Sequence, residues 1–304
     1  MKRQHVRWAS MIAASAALAS YGCKHKPTEA GPTSDTVASV DSSWPDVPLP
    51  PRGAQGARER LTVTGESIDD FVTQLTWARR PQPTSLAYAS AEKQCAERPE
   101  GPWRIPSRLE LLSTLDLSHT APYLDTKLFG AVADGPFWSS TPVAGADGQH
   151  WTVSFATGFT QPSAVKEAWV RCVKGPIATS PRPRFRIAGK TVIDDASKLI
   201  WTREAVVPAI KQLDAAEACR RLSLDGIRGF HIPARVELET MLDTRRRSPA
   251  VDTDSFVVIP HEIDWSANGT GDSIHQAWLV SLEDGQSRRD DLDELHSLRC
   301  VKAM

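Results

Sequence analysis

The sequence predicts two α+β domains in tandem, each with two helices, a twisted antiparallel sheet and one disulfide. The first supporting observation is that the chain is written twice. A segment running from Leu75-Thr76-Trp77 to Arg171-Cys172-Val173-Lys174 returns as Leu199-Ile200-Trp201 to Arg299-Cys300-Val301-Lys302. Trp77 to Cys95 is 18 residues, as is Trp201 to Cys219. Pro106, Asp116, Pro122, Asp125, Phe129, Trp138, Trp151 and Gly158 recur 127 positions later as Pro233, Asp243, Pro249, Asp252, Phe256, Trp265, Trp278 and Gly285. Solenoid units run to only about 20 to 50 residues, so each copy is expected to hold a core of its own. The second observation is that four of the five cysteines fall two per copy at matched places. The third is a change within each copy from helical to alternating apolar spacing.

Taken in order, Lys2, Arg3 and Arg7 precede an alanine-rich apolar stretch, a secretory leader over residues 1–22 that is too short to span a membrane. Gly22 before Cys23 resembles the lipobox of bacterial lipoproteins, although Ser20 stands where that motif usually has leucine. The resemblance implies a lipid on Cys23 and attachment to the membrane, and Lys24 then points to the outer membrane. Cleavage after Ala17-Leu18-Ala19 is the competing reading; it yields a secreted or periplasmic protein with a free Cys23. Residues 23–58, rich in Pro, Ser, Gly, Ala and Thr, read as a disordered tether. The first domain is assigned to 59–175, a Pro-rich linker to 176–183 and the second domain to 184–304. The net charge of −1 gives no basic footprint for nucleic acid.

Within the first copy a helix is expected near Thr84 to Glu97, with Tyr88, Ala91 and Cys95 on one face. Its counterpart in the second copy is expected to start with a capping box of Asp214 and Glu217. A second helix follows Pro106, with Ser107 and Glu110 as a capping box and Leu109, Leu112 and Leu115 along one side. After Pro233 the same helix keeps Glu237 but has Ala234 at the cap, a weaker start. Trp151, Val153 and Phe155 alternate, as do Trp278, Val280 and Leu282, and Gly158 or Gly285 ends each run in a turn. Trp169 to Val173 and Leu298 to Val301 read as closing strands. In an exported chain an even cysteine set reads as disulfides, and Cys95–Cys172 with Cys219–Cys300 is the simplest pairing. Each closes a loop of roughly 80 residues, for which chain entropy suggests about 4 to 5 kcal/mol.

Several of these stretches carry a family resemblance. Trp103-Arg104-Ile105-Pro106-Ser107-Arg108-Leu109-Glu110-Leu111, then Phe137-Trp138-Ser139-Ser140-Thr141, then Trp151 with Gly158, then Val170-Arg171-Cys172-Val173 resemble the C-terminal domain of the collagen-like adhesin Lcl. The second copy matches with Phe230-His231-Ile232-Pro233 and Trp265-Ser266-Ala267 in place of the corresponding pieces. The resemblance implies a C-type-lectin-like architecture and distant kinship with formylglycine-generating enzymes.

The residues that look functional read mostly as structural. Trp77, Trp138, Trp151 and their partners Trp201, Trp265 and Trp278 are expected to be core rather than a sugar platform. Asp116, Asp125, Asp243 and Asp252 are expected to serve caps and turns. The histidines His119, His150, His231, His261, His275 and His296 do not recur, so neither a metal nor another cofactor is expected. Gln161-Pro162-Ser163 lacks the acid of calcium-dependent lectins. Formylglycine-type catalysis needs accessible thiols, so no catalytic residue is assigned.

Function is expected in divergent loops. Arg245-Arg246-Arg247 could bind a sulfated glycan or another anion, against a reading in which Asp243, Asp252 and Asp254 balance them. Residues Pro142 to Gln149 and Asn268 to Ile274 form candidate binding loops, and Arg288 to Glu294 reads as solvated surface. The expected function is a lipid-anchored, non-catalytic module recognising a glycan or a protein. Its rivals are a structural envelope lipoprotein and an enzyme of formylglycine-generating descent.

Overall fold

A computed structural model of the chain describes Trp44–Pro45 and residues 60–118, 120–177, 179–180 and 183–304. These lie in one compact unit, Ser42–Met304. The leader, Cys23, most of the tether and His119 lie outside the described residues. Within the tether range, Trp44–Pro45 pairs antiparallel with Thr179–Ser180 of the linker.

Both copies are α+β. In the first, the strands Leu61–Thr64, Ser67–Asp70 and Leu75–Ala78 form a meander that Val173–Lys174 joins as fourth strand. In the second, Phe185–Ala188, Thr191–Asp194 and Leu199–Thr202 are joined in the same way by Val301–Ala303. The start and end of each copy therefore share a sheet. A second sheet holds Pro136–Pro142, His150–Ser154 and Thr160–Pro162 in the first copy. In the second copy it has five strands, with Ile263–Thr270, Ser273–Ser281 and Ser287–Asp291 extended by His296–Leu298 and Val207–Ile210. The stretch Asn268 to Ile274, expected as a binding loop, lies instead at the tip of this long hairpin.

The helices are α1 (Tyr88–Ala96), α2 (Arg108–Ser113), α3 (Thr126–Phe129), α4 (Gln212–Arg221) and α5 (Arg235–Met241). The box expected at the start of α2 is complete: Glu110 N donates to Ser107 Oγ and Ser107 N to Glu110. At α5 only half survives, with Ala234 N donating to Glu237 at 2.6 Å. The box expected of Asp214 and Glu217 does not form. Helix α4 starts earlier, its cap Lys211 makes no side-chain capping bond, and Glu217 pairs with Arg220 and Arg221. The short α3 is an addition to the expected two helices, capped by Asp125.

Two tethers close each copy. Cys95 on α1 is bonded to Cys172, and Cys219 on α4 to Cys300, with Cα atoms 5.5 and 5.6 Å apart. Beside each bridge lies a fully buried arginine. Arg171 donates to the carbonyls of Ala78, Arg79 and Phe129, and Arg299 to those of Thr202, Arg203 and Val257. Arg299 also pairs with Glu262 and Asp264. Positions 135 and 137 of the first copy hold Gly135 and Phe137 instead, and burial alone pulls Arg171 down to about 9.

The two copies meet across an interface in which matched residues exchange roles. The Trp278 ring lies against Gly158, so close that a Cβ there would meet it at 2.8 Å, and Trp151 lies against Gly285 at 3.4 Å. Arg108 sits over Trp151 and donates to Gly285 O, while Arg235 sits over Trp278 and donates to Gly158 O. Between the arginines stands one carboxylate, Glu239, 2.6 Å from Arg108 and 3.5 Å from Arg235. Its counterpart in the first copy is Leu112. Thr160 bonds to its own counterpart, Ser287, through Oγ1 and N. At the hairpin tip Asp272 takes a bond from Tyr123 and an ion pair from Arg289. The core of the first copy accordingly includes Val236 and Trp278 of the second.

Candidate functional site

Helix α1 buries Ala91 and Cys95 and turns Tyr88, Glu92 and Ala96 to another side, four residues apart along one line. Tyr88, Glu92 and Ala96 form one wall of a cleft of about 250 Å³ in the first copy. Tyr88 packs against the core cluster of Ala91 and Cys95, as the helical spacing predicts, and also lines the cleft. Trp103, Arg104 and Ile105 form the opposite wall, held to Val173 by backbone bonds of 2.8 and 2.9 Å through Arg104. Ser107, Glu110, Ser140 and Ile177 complete the lining.

The local chemistry follows from who is already bonded. Arg104 makes a two-pronged pair with Glu110 at 2.7 and 2.5 Å, and Ser107 N also donates to Glu110, so this floor is neutral and saturated. Ser140 is set by its N–H on Pro106 O. Tyr88 stacks on His150 at 3.5 Å with the rings nearly parallel, and meets Trp138 edge-on at 5.6 Å. Burial, then the charge of Glu92, pushes the Tyr88 phenol up to about 12, which keeps it protonated. Burial lowers His150, against a smaller pull from Glu92 and a backbone bond to Gly148. Trp103 is anchored by its indole N–H on Pro99 O, with Arg98 and Lys174 over its ring at 4.7 and 4.8 Å. Such an arrangement can hold a small molecule; it brings together no three-residue metal-ligating group, nor does any other place among the described residues.

The second copy lacks the polar parts of this cleft. Gln212, Ala216 and Arg220 stand for Tyr88, Glu92 and Ala96, and Ala234 and Ala267 stand for Ser107 and Ser140. The ion pair of the floor is kept in altered form, His231 lying 3.6 Å from Glu237. Ser140 falls in the Trp138-Ser139-Ser140-Thr141 stretch of the family resemblance, whereas no motif marks Tyr88 or Glu92 as a binding residue. The signal was present nonetheless, as positions polar in one copy and replaced in the other.

The other sequence-derived candidates lie elsewhere. Arg245 pairs with Asp243 at 2.8 Å, and Arg246 with Asp243 and Asp252 at 3.1 and 3.3 Å, so two of the three guanidiniums are balanced within their own loop. Arg247 is exposed. Asp116 and Asp125 serve turn and cap bonds, as do Asp243 and Asp252. Trp77, Trp138, Trp151, Trp201, Trp265 and Trp278 are all at most 4 % exposed and act in packing. In the segment Arg288 to Glu294, Arg288 pairs with Asp284, and Asp293 with Lys211. The four cysteines of the repeats are all in disulfides.

Residues 66–174 and again 190–302 match the family model of the Lcl C-terminal domain. The chain belongs to the Lcl C-terminal domain family. Each match contains one complete sulfur bridge and one buried arginine staple, so the two Lcl C-terminal domains coincide with the two copies. A search of curated proteins gave no match.

Proposed function

We propose that the chain is an exported, lipid-anchored, non-catalytic binding module, in which the first Lcl C-terminal domain presents the ligand site and the second braces it. The observation that carries this reading is the cleft of the first copy, whose polar rim the second copy replaces with alanine and glutamine. Family membership supports an exported, binding-type module, and two disulfides fit an oxidising compartment. Among the described residues no helix is long and apolar enough to cross a membrane. A lipid on Cys23 supplies the anchor, with the outer membrane as destination. The C-type-lectin-like architecture belongs to the same proposal and is supported by the bridge in each copy from the cysteine-bearing helix to the residue just before the final strand. The absence of a free thiol in the repeats supports a non-catalytic role.

The test is an array of glycans, sulfated ones included, and small molecules, probed with the full chain. Ser140→Trp, which fills the cleft, is expected to lose the ligand, and the triple change of Arg245, Arg246 and Arg247 to Ala is expected to keep it. The opposite pattern moves the site to the arginine loop. For the anchor, Cys23→Ser is expected to abolish fatty-acid labelling and release the protein from the membrane fraction. Unchanged labelling refutes the lipid assignment.

A further inference from the structure

We propose that the cleft of the first copy takes a small organic cation, a primary ammonium group on a compact body; this rests on the cleft being the binding site. The charges lining it are committed except one. Glu110 is saturated by Arg104 and Ser107 N. Glu92 is exposed and has no cation within salt-bridge distance among the described residues, its neighbour Lys93 being paired with Glu97. Arg98 and Lys174 lie over the Trp103 ring, Lys174 Nζ also donates to Glu100 O, and neither lines the cleft.

A ligand entering this cleft therefore meets a net negative charge beside a neutral phenol and a serine hydroxyl. An ammonium supplies three donors to a site whose uncommitted groups are acceptors: the Glu92 carboxylate, Tyr88 Oη and Ser140 Oγ. Tyr88 adds an aromatic ring held rigid on His150, against which a cation is attracted. Ile105 and Ile177 give the carbon body apolar contact. The charge of Glu92 lies beside the stacked pair of Tyr88 and His150 and acts on both. A sulfate or carboxylate ligand would face that same charge, and the one cation among the lining residues, Arg104, is already paired with Glu110. The volume lies below the roughly 300–1,000 Å³ of sites for drug-sized ligands, so the occupant is small.

The experiment is a ligand-observed and protein-observed NMR titration of the full chain with two matched pairs, glucosamine against glucose and Nα-acetyl-lysinamide against Nα-acetyl-norleucinamide. The pairs separate an amino sugar from an amino-acid side chain as the source of the ammonium. In at least one pair the cationic member is expected to bind about tenfold more tightly than its neutral partner. Glu92→Gln, at an exposed position, is expected to erase that preference while Ser140→Trp abolishes binding. Equal binding of both members, or a preference that survives Glu92→Gln, overturns the cation assignment. If Ser140→Trp still removes that unselective binding, the cleft stands as a site of another chemistry. Binding indifferent to Ser140→Trp, or no binding by any probe, overturns the proposal, and indifference to Ser140→Trp overturns the cleft reading with it.

Discussion

Replacing Glu239 by Gln tests whether the two Lcl C-terminal domains are joined by a single buried carboxylate. Arg108 and Arg235 are both fully buried, and Glu239 is the acid that faces them, with side-chain exposures of 2 %, 1 % and 0 %. Burial pulls Arg235 down to about 10 despite Glu239, and it lowers Arg108 as well. The cluster already carries more positive than negative charge. Gln keeps the shape and removes the only opposing charge, leaving two guanidiniums uncompensated. Breaking a buried pair from one side costs about 3–5 kcal/mol, because the remaining charge stays desolvated. With a urea slope near the upper end of about 1–3 kcal/mol/M, the midpoint is expected to fall by 1 M or more. The assay is urea unfolding followed by tryptophan fluorescence, with peptide-level hydrogen exchange to locate the loss. Exchange is expected to accelerate in α2 and in α5 together, since the cluster belongs to both copies. A loss below about 1 kcal/mol, or faster exchange in one copy only, would show that the arginines are held by Gly158 O and Gly285 O and that the carboxylate is incidental.

Other outcomes follow from the same geometry. Gly158→Ala and Gly285→Ala share the left-handed backbone penalty of about 1–2 kcal/mol. Gly158→Ala also drives a methyl into the Trp278 ring and is expected to cost about 1–3 kcal/mol more in thermal unfolding, so equal losses would refute the reciprocal packing. Asp264 is fully buried, and burial pushes its carboxyl up to about 7 against the pull of Arg299. A carboxyl raised above its unfolded value binds its proton more tightly in the folded state, so its contribution is full at low pH and falls as pH rises from about 4 through 7. That decline is expected to be on the order of 4 kcal/mol at most and to be flattened by Asp264→Asn; an unchanged pH profile of stability would refute it. Reducing Cys95–Cys172 is expected to lower stability by about 4–5 kcal/mol in chemical denaturation, and a loss below 1 kcal/mol would show that the Arg171 staple closes the copy without it.

Much of the frame was legible because it depends on local or repeated features. The Ser107 and Glu110 box reads directly, since a hydroxyl and a carboxylate three residues apart satisfy two free N–H groups at a helix start. Asp214 and Glu217 have the same spacing and do not cap, because α4 begins at Gln212 and puts Asp214 inside the first turn. Tyr88 has the spacing of a core residue and packs as one against Trp138 and His150, and it lines the cleft as well, which spacing alone does not reveal. The strands of the hairpins Leu61–Asp70 and Phe185–Asp194 are only 4 residues each, too short for the alternation in Leu61–Thr64 and Phe185–Ile187 to stand out.

By itself the sequence determined the duplication, and it pointed to the simplest sulfur pairing and to the turn and cap aspartates, because these are matters of count, register and neighbours along the chain. It also showed that the six recurring tryptophans are structural. Only the tertiary structure decided what they pack against. Trp151 and Trp278 each fill the glycine turn of the other copy, and Arg108, Arg235 and Glu239 are brought together from segments that lie 127 and 131 residues apart. The placement of Tyr88, Glu92 and Ser140 around one cleft was likewise a tertiary result. Residues on separate elements become neighbours only when the disulfide, the Arg104–Val173 pairing and the Ser140–Pro106 backbone bond fix those elements in space, and no periodicity along the chain encodes that convergence.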